Sequence, residues 1–151
     1  MRRKARKSGF TLIELLIVMS IIGVLSGTLL LTMGSSTDKA EAMRIVADLD
    51  SLRLAAGLYY ADNAGGELSP DIEKLKAYVT APERLTGDSY EFKEGTTPGQ
   101  WFVGYKISTR PEGVRESLKK MAAANGLRKG TAADTGDVYD GGTEGVYIRV
   151  R

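Results

Sequence analysis

The sequence predicts an α+β fold in which one long N-terminal helix, apolar in its first half and amphipathic in its second, packs on a small antiparallel sheet of three or four strands. Three observations carry this. From Phe10 to Gly34 the only charge is Glu14, and no proline precedes Pro70, so nothing sterically breaks a helix running from Phe10 to about Ala64. From Asp38 onward Ile45, Leu49, Leu52, Ala56 and Tyr59 recur at steps of four, three, four and three, which places them on one helical face. After Ser89 the apolar period changes to two, the period of strands.

The first half of the helix reads as a membrane segment. At 1.5 Å of rise per residue, Phe10 to Gly34 spans roughly 37 Å, enough for a hydrocarbon core of about 30 Å. Arg2, Arg3, Lys4, Arg6 and Lys7 precede it, and such a cluster holds the N-terminus in the cytoplasm by the positive-inside bias. A secretory signal peptide has a shorter apolar region, about 7 to 15 residues, and a small-residue cleavage site, which Thr32-Met33-Gly34 does not supply. A plain signal anchor fits the length but leaves Glu14 unexplained, since a carboxylate in the membrane is expensive without a partner. Gly23 and Gly27 have the GxxxG spacing that permits close helix approach; small residues are equally common in membrane helices that approach nothing.

Lys7-Ser8-Gly9-Phe10-Thr11-Leu12-Ile13-Glu14-Leu15-Leu16, behind its basic leader, resembles the N-terminal signal of type IV prepilins and of the pseudopilins of type II secretion. The resemblance covers residues 1–60 and implies a pilin-like fold. It implies that residues 1–9 are a cleaved leader, 10–34 a transmembrane helix that becomes filament core, and 35–151 a globular head that includes the amphipathic half of the helix. A prepilin peptidase would cut after Gly9 and methylate the new amine of Phe10. Further implied partners are the membrane before assembly, an inner-membrane assembly platform, and identical or related subunits in a helical filament. Within that filament Glu14 would accept a charge-assisted bond from the Phe10 ammonium of a neighbour. In related pilins a proline often stands where this chain has Leu31, so a melted segment is not expected there; Gly34-Ser35-Ser36 is the weak point that remains, since both residue types favour helix poorly.

Charge and composition exclude several classes. The chain has 151 residues, with 21 Lys and Arg against 19 Asp and Glu for a net charge of +2; without the five leader cations the basic count is 16 and the net charge −3. A nucleic-acid reading would thus rest on the leader, and no basic stripe interleaved with aromatics follows it, so no intrinsic nucleic-acid binding is expected. With neither Cys nor His, a thiol nucleophile, a Ser-His-Asp triad and a His/Cys zinc site are impossible. The chain also departs from the many pilins that close their C-terminal region with a disulfide.

In the second half of the helix Val46 and Tyr60 flank the apolar stripe, while Asp38, Lys39, Glu41, Arg44, Asp48 and Arg53 fill the other positions, and Asn63-Ala64-Gly65-Gly66 ends it. Ser69-Pro70-Asp71 reads as an N-cap, a first-turn proline and a dipole-complementing acid, opening a short helix through Tyr78 with Ile72, Leu75 and Val79 inward. This order, with Leu58-Tyr59-Tyr60-Ala61-Asp62-Asn63 before the glycine turn, also resembles the major pseudopilins of type II secretion. Ser89 to Lys93 and Gln100 to Ser108 alternate around Thr96-Thr97-Pro98-Gly99 and read as a hairpin; Thr109 to Asn125 reads as a helix through Val114, Leu118, Met121 and Ala122, ended at Gly126. Gly145 to Arg151 is the last strand, with Val146, Ile148 and Val150 on one face.

Between these last elements Asp134, Asp137, Asp140 and Glu144 surround Gly141-Gly142. Four carboxylates so close repel one another unless solvated or neutralised. Hard oxygen donors on a Gly-rich loop suit Ca²⁺, and some secretion pseudopilins bind calcium in a comparable C-terminal loop. The spacing is not that of an EF-hand, and a solvated acidic loop with no cofactor is the other reading.

The functional expectation is a structural filament subunit and not an enzyme, for no set of residues makes a credible reaction site. It sits in the inner membrane as a single-pass protein before assembly, and in a cell-surface pilus or a periplasmic type II secretion pseudopilus afterwards. A membrane-anchored binding module, tethered by an uncut helix, is the alternative of another class.

Overall fold

The computed structural model describes residues 9–63, 71–86, 89–130 and 137–150, without the side chains of residues 30–33. The leader cations, the Ala64-Gly65-Gly66 turn, the Ser69-Pro70 cap, Asp134 and Arg151 lie outside the described residues. The chain divides into two units, residues 1–36 and 37–151.

Helix α1 (Leu12–Asp62) is continuous, and Gly34, Ser35 and Ser36 are helical. The expected weak point is therefore not a break: such residues cost at most about 1 kcal/mol each, too little to open a helix with many turns on either side.

Within residues 37–151, α1 carries the core. Ala42, Ile45, Leu49, Leu52, Ala55 and Ala56 have no exposed surface, and Tyr59 packs at their edge. They meet a four-stranded antiparallel sheet made of β1 (Tyr90–Glu94), β2 (Trp101–Lys106), β3 (Arg128–Lys129) and β4 (Gly145–Arg149), in the order β1-β2-β4-β3. The register pairs Tyr90 with Tyr105 and Phe92 with Val103, then Val103 with Ile148 and Tyr105 with Val146. Two-residue alternation therefore turns Tyr90, Val103, Tyr105, Val146 and Ile148 to one face, and all five are buried. The hairpin turn reaches its geometry through Gly99, whose φ of 83° favours glycine. Strand β3, only two residues long, has no period by which sequence could reveal it; it exists because β4 offers a free edge.

Helix α3 (Glu112–Asn125) buries Val114, Leu118 and Ala122 and stops at Gly126, which is left-handed at φ 65°. It starts three residues later than expected, because Pro111, at ψ 152°, stands outside the helix and disfavours helical backbone at the residue before it. Helix α2 (Ile72–Leu75) is likewise shorter: Asp71 is extended at φ −70° and ψ 150° and makes no side-chain cap, and a 3-10 turn over Lys76–Tyr78 follows. Ile72 and Leu75 are buried as expected.

Asp48 corrects the assignment of α1's polar positions. Lying three residues from Ile45, it faces the core and is 6% exposed. Its carboxylate accepts the Tyr90 hydroxyl at 2.8 Å and pairs with Arg84 at 2.9 Å. Burial, then the bond to Asp48, pushes the Tyr90 phenol far above its ordinary range. A buried carboxylate is tolerated with both partners in place, and since Arg84 is itself 43% exposed, its share of the pairing is screened by solvent.

The other face of the sheet holds a smaller cluster, Phe102 and Tyr147. Tyr147 lies over Gly104, where an added Cβ would run into its ring. Its hydroxyl donates to Glu91 and accepts from Lys93 at 3.0 Å, and Lys93 pairs with Glu91 at 2.9 Å. Burial works against the Glu91 charge, but the bonds from Tyr147 and Lys93 outweigh it and hold the carboxyl below its ordinary range.

Two predictions follow from this face. Gly104→Val forces Tyr147 off its seat and should cost about 1–3 kcal/mol, read from urea unfolding of the full chain in detergent by Trp101 fluorescence; an unchanged midpoint would show that Tyr147 yields freely. Because the Glu91 pKa is depressed in the folded state, its contribution is present at neutral pH and lost as pH falls through the folded value. The stability gap between wild type and Glu91→Gln should therefore close below about pH 4, and a gap constant down to acid unfolding contradicts the assignment.

Candidate functional site

The N-terminal site begins with a helix cap. Thr11 is the N-cap of α1: its carbonyl accepts the first helical bond from Leu15 at 3.2 Å, and its hydroxyl accepts the Glu14 N–H at 3.3 Å. In return Glu14 Oε2 accepts the Thr11 N–H and the Thr11 hydroxyl, both at 2.8 Å. This reciprocal pair is a capping box, and it satisfies donors that a helix start would otherwise leave unbonded. The sequence weighs Glu14 as a membrane charge and as the acceptor of a neighbour's Phe10 ammonium; the Thr-x-x-Glu spacing at residues 11–14 is the signal for a further, local role. Both bonds use Oε2, so among the described residues Oε1 has no partner.

Gly9 and Phe10 precede the cap and are exposed, Phe10 by 89%. A Cβ built on Gly9 meets nothing within 4 Å, so the fold makes no demand for glycine there. Any such demand comes from outside the chain. Leu12, Ile13, Leu16, Val24, Leu25 and Leu29 are among the large apolar side chains that α1 leaves more than half exposed, and Gly23 and Gly27 have equally open surroundings. By length and composition α1 is able to cross a membrane.

The C-terminal site is the acidic loop. Of its four predicted ligands, Asp134 lies outside the described residues, while Asp137, Asp140 and Glu144 are exposed. After the undescribed stretch the chain returns beside β3, with Lys129 N–H donating to the Asp137 carbonyl at 3.3 Å and Tyr139 N–H to the Leu127 carbonyl at 3.0 Å. Asp140 and Glu144 line one cavity of about 290 Å³ with Lys129, Tyr139, Gly142 and Thr143; Asp137 is not in its wall. Lys129 is the residue that sequence reasoning missed. Its Nζ lies 3.1 Å from Asp140 Oδ2, and ten intervening residues leave no local pattern that announces the pair. The bond from Asp140, then the charges of Asp140 and Asp137, raise the Lys129 pKa, and Lys129 in turn lowers that of Asp140. Burial pushes the Tyr139 phenol up to about 12.

A calcium ion needs six to eight oxygen donors, and the described residues do not fit one. Among them no three acidic side chains gather. Asp140 spends Oδ2 on Lys129 and Oδ1 on the Gly142 N–H at 3.1 Å. The Gly142 carbonyl accepts the Tyr139 hydroxyl at 2.7 Å, and the Gly145 carbonyl accepts the Gly130 N–H at 3.0 Å.

Residues 4–30 match the family described as the prokaryotic N-terminal methylation motif. The chain is 34% identical over 83 residues to type II secretion system core protein G of Klebsiella michiganensis, covering 54% of this chain and 56% of that protein. Against core protein G of Vibrio cholerae the identity is 25% over 142 residues, covering 91% and 95%. Against type IV major fimbrial protein FimA of Dichelobacter nodosus it is 26% over 151 residues, covering 90% and 93%. In its matches to core protein G of Klebsiella michiganensis and Pectobacterium carotovorum, the chain spans about half the length of the relative, 56% and 48%. No solved structure matches it.

Proposed function

We propose that this chain, which carries the prepilin-type methylation motif on a pilin-like α+β fold, is a structural subunit of a type IV pilus-like filament and not an enzyme. It is held in the inner membrane by residues 10–34, cut after Gly9 by a prepilin peptidase, and lifted by an assembly platform into a bundle of like helices. The observation that carries this reading is the uncovered apolar surface of Phe10 and of α1 from Leu12 to Leu29, whose only charge is a carboxylate at the helix start. Apolar surface is worth about 25 cal/mol per Å² in water, so such a helix leaves lipid only for a medium equally dry, and a bundle of its own kind is one. Met43, Leu54 and Leu58, exposed on the outer side of α1 in the head, extend the surface available to neighbours.

Glu14 then has two tasks on two oxygens. Oε2 caps its own helix, and Oε1 accepts from the Phe10 ammonium of an adjacent subunit, a pairing that offsets the desolvation of two charges and sets the axial register. A second reading, in which the filament is the pseudopilus of a type II secretion system, is favoured by the relatives named core protein G.

Since the fold tolerates a side chain at Gly9, Gly9→Val should fold and insert normally yet keep its leader, because the peptidase must accommodate that residue. Intact mass of the wild-type filament protein should show an N-methylated Phe10 as the first residue. A mature chain beginning near Ser35 overturns the proposal, and a wild-type chain that is never cut points to a tethered binding module. Two substitutions separate the tasks of Glu14. Glu14→Gln keeps an acceptor for Thr11 and loses the charge, whereas Glu14→Val loses both. If the charge pair governs assembly, both variants are inserted and cut but enter sheared filaments at least about tenfold less than wild type, tenfold being a difference of about 1.4 kcal/mol. Wild-type yield from Glu14→Gln would assign the carboxylate to capping alone.

A further inference from the structure

We propose that the acid-rich C-terminal loop of this head carries its own cation, the ammonium of Lys129, and that this ammonium stands where a divalent ion would otherwise be needed. The loop's acidity calls for a positive charge, because Asp137, Asp140 and Glu144 fall within eight residues. Strand β3 delivers one. Pairing of Arg128 with Tyr147 and of Lys129 with Val146 fixes the backbone of Lys129 against β4, and the chain on its other side is fixed by the bonds of Asp137 to Lys129 and of Tyr139 to Leu127. The side chain therefore enters the cavity from a strand and not from the loop itself, 3.1 Å from Asp140 and beside Glu144.

The oxygen inventory agrees. Both carboxylate oxygens of Asp140 and the carbonyls of Asp137, Gly142 and Gly145 already accept from protein donors. The backbone is adapted to the same arrangement. Gly130 has φ 53°, and a Cβ there would run into the Glu144 carboxylate. A divalent ion entering this cavity would have to displace Lys129 and break the Tyr139 and Gly142 bonds, for a coordination shell that the described residues do not complete. An ammonium has three donors and no coordination shell to complete, and one of those donors is already bonded to Asp140 at 3.1 Å.

The inference is independent of filament formation and is tested on the full chain in detergent micelles. Wild type and Lys129→Gln are melted by near-ultraviolet circular dichroism in chelator and in CaCl₂ up to about 5 mM, above the range of weak extracellular calcium sites. The wild-type midpoint should be the same throughout. Lys129→Gln, left with uncompensated carboxylates, should melt about 2–4 °C lower in chelator and regain the difference as Ca²⁺ is added; Lys129→Arg should behave as wild type. Stabilisation of wild type by Ca²⁺ overturns the proposal, and so does a Lys129→Gln chain as indifferent to Ca²⁺ as wild type.

Discussion

From Leu12 to Leu29, α1 turns nearly every large apolar side chain it carries outward, and water is the medium in which such a surface costs most. Lipid and a bundle of like helices are the two environments that relieve the cost. A helix able to exchange one for the other must be uniform enough to suit both. From Leu12 to Leu29 it carries a single charge, Glu14, in its first turn. The capping box keeps that charge ordered from within the chain: Thr11 supplies two donors at 2.8 Å to its Oε2.

The head meets a different constraint, stability in a small body without a disulfide. Its answer is one continuous core in which α1 supplies a seam of alanines and branched aliphatics, and the sheet supplies tyrosines. Tyrosine brings large apolar area and a hydroxyl that must be bonded. Tyr90 is bonded to Asp48 on α1 and Tyr147 to Glu91 across the sheet, while Tyr105 accepts from Arg110, which also pairs with Glu41 of α1 at 2.9 Å. Apart from the Tyr105–Arg110 bond, five residues long, each joins elements distant in the chain. Those that reach Asp48 and Glu41 tie the sheet side of the head to α1 at defined positions, which apolar contact alone does not fix.

Charge in the C-terminal region is handled by the same economy. Where a metal would impose a coordination shell, a lysine fixed on a strand imposes one bond, and the residues beside it at 137–139 are already held by backbone pairing. The cost is exposure: the Lys129 and Asp140 side chains are 39% and 57% accessible, so salt weakens their attraction.

Elements governed by periodicity were legible before any coordinates. The α1 stripe at Ile45, Leu49, Leu52 and Ala56, the β1–β2 hairpin, the Val114-Leu118-Ala122 face and the last strand all follow from side chains repeating at 3.6 or 2 residues, a property of the chain alone. The apolar run from Phe10 with its isolated carboxylate was legible for the same reason, since composition over 25 residues does not depend on what packs against it. Neighbours brought close only by folding were not. Asp48 is polar by its letter and buried by its face, and its partners Tyr90 and Arg84 lie 42 and 36 residues away. Strand β3 is too short to have a period, and Gly104 is needed only because Tyr147 arrives above it. Lys129 had no reason to be counted with Asp140 until β4 drew its strand alongside. Local chemistry repeats along the chain and is visible there; the pairing of a buried or crowded polar group is decided by long-range topology, because only the fold determines which donor stands within 3 Å of it.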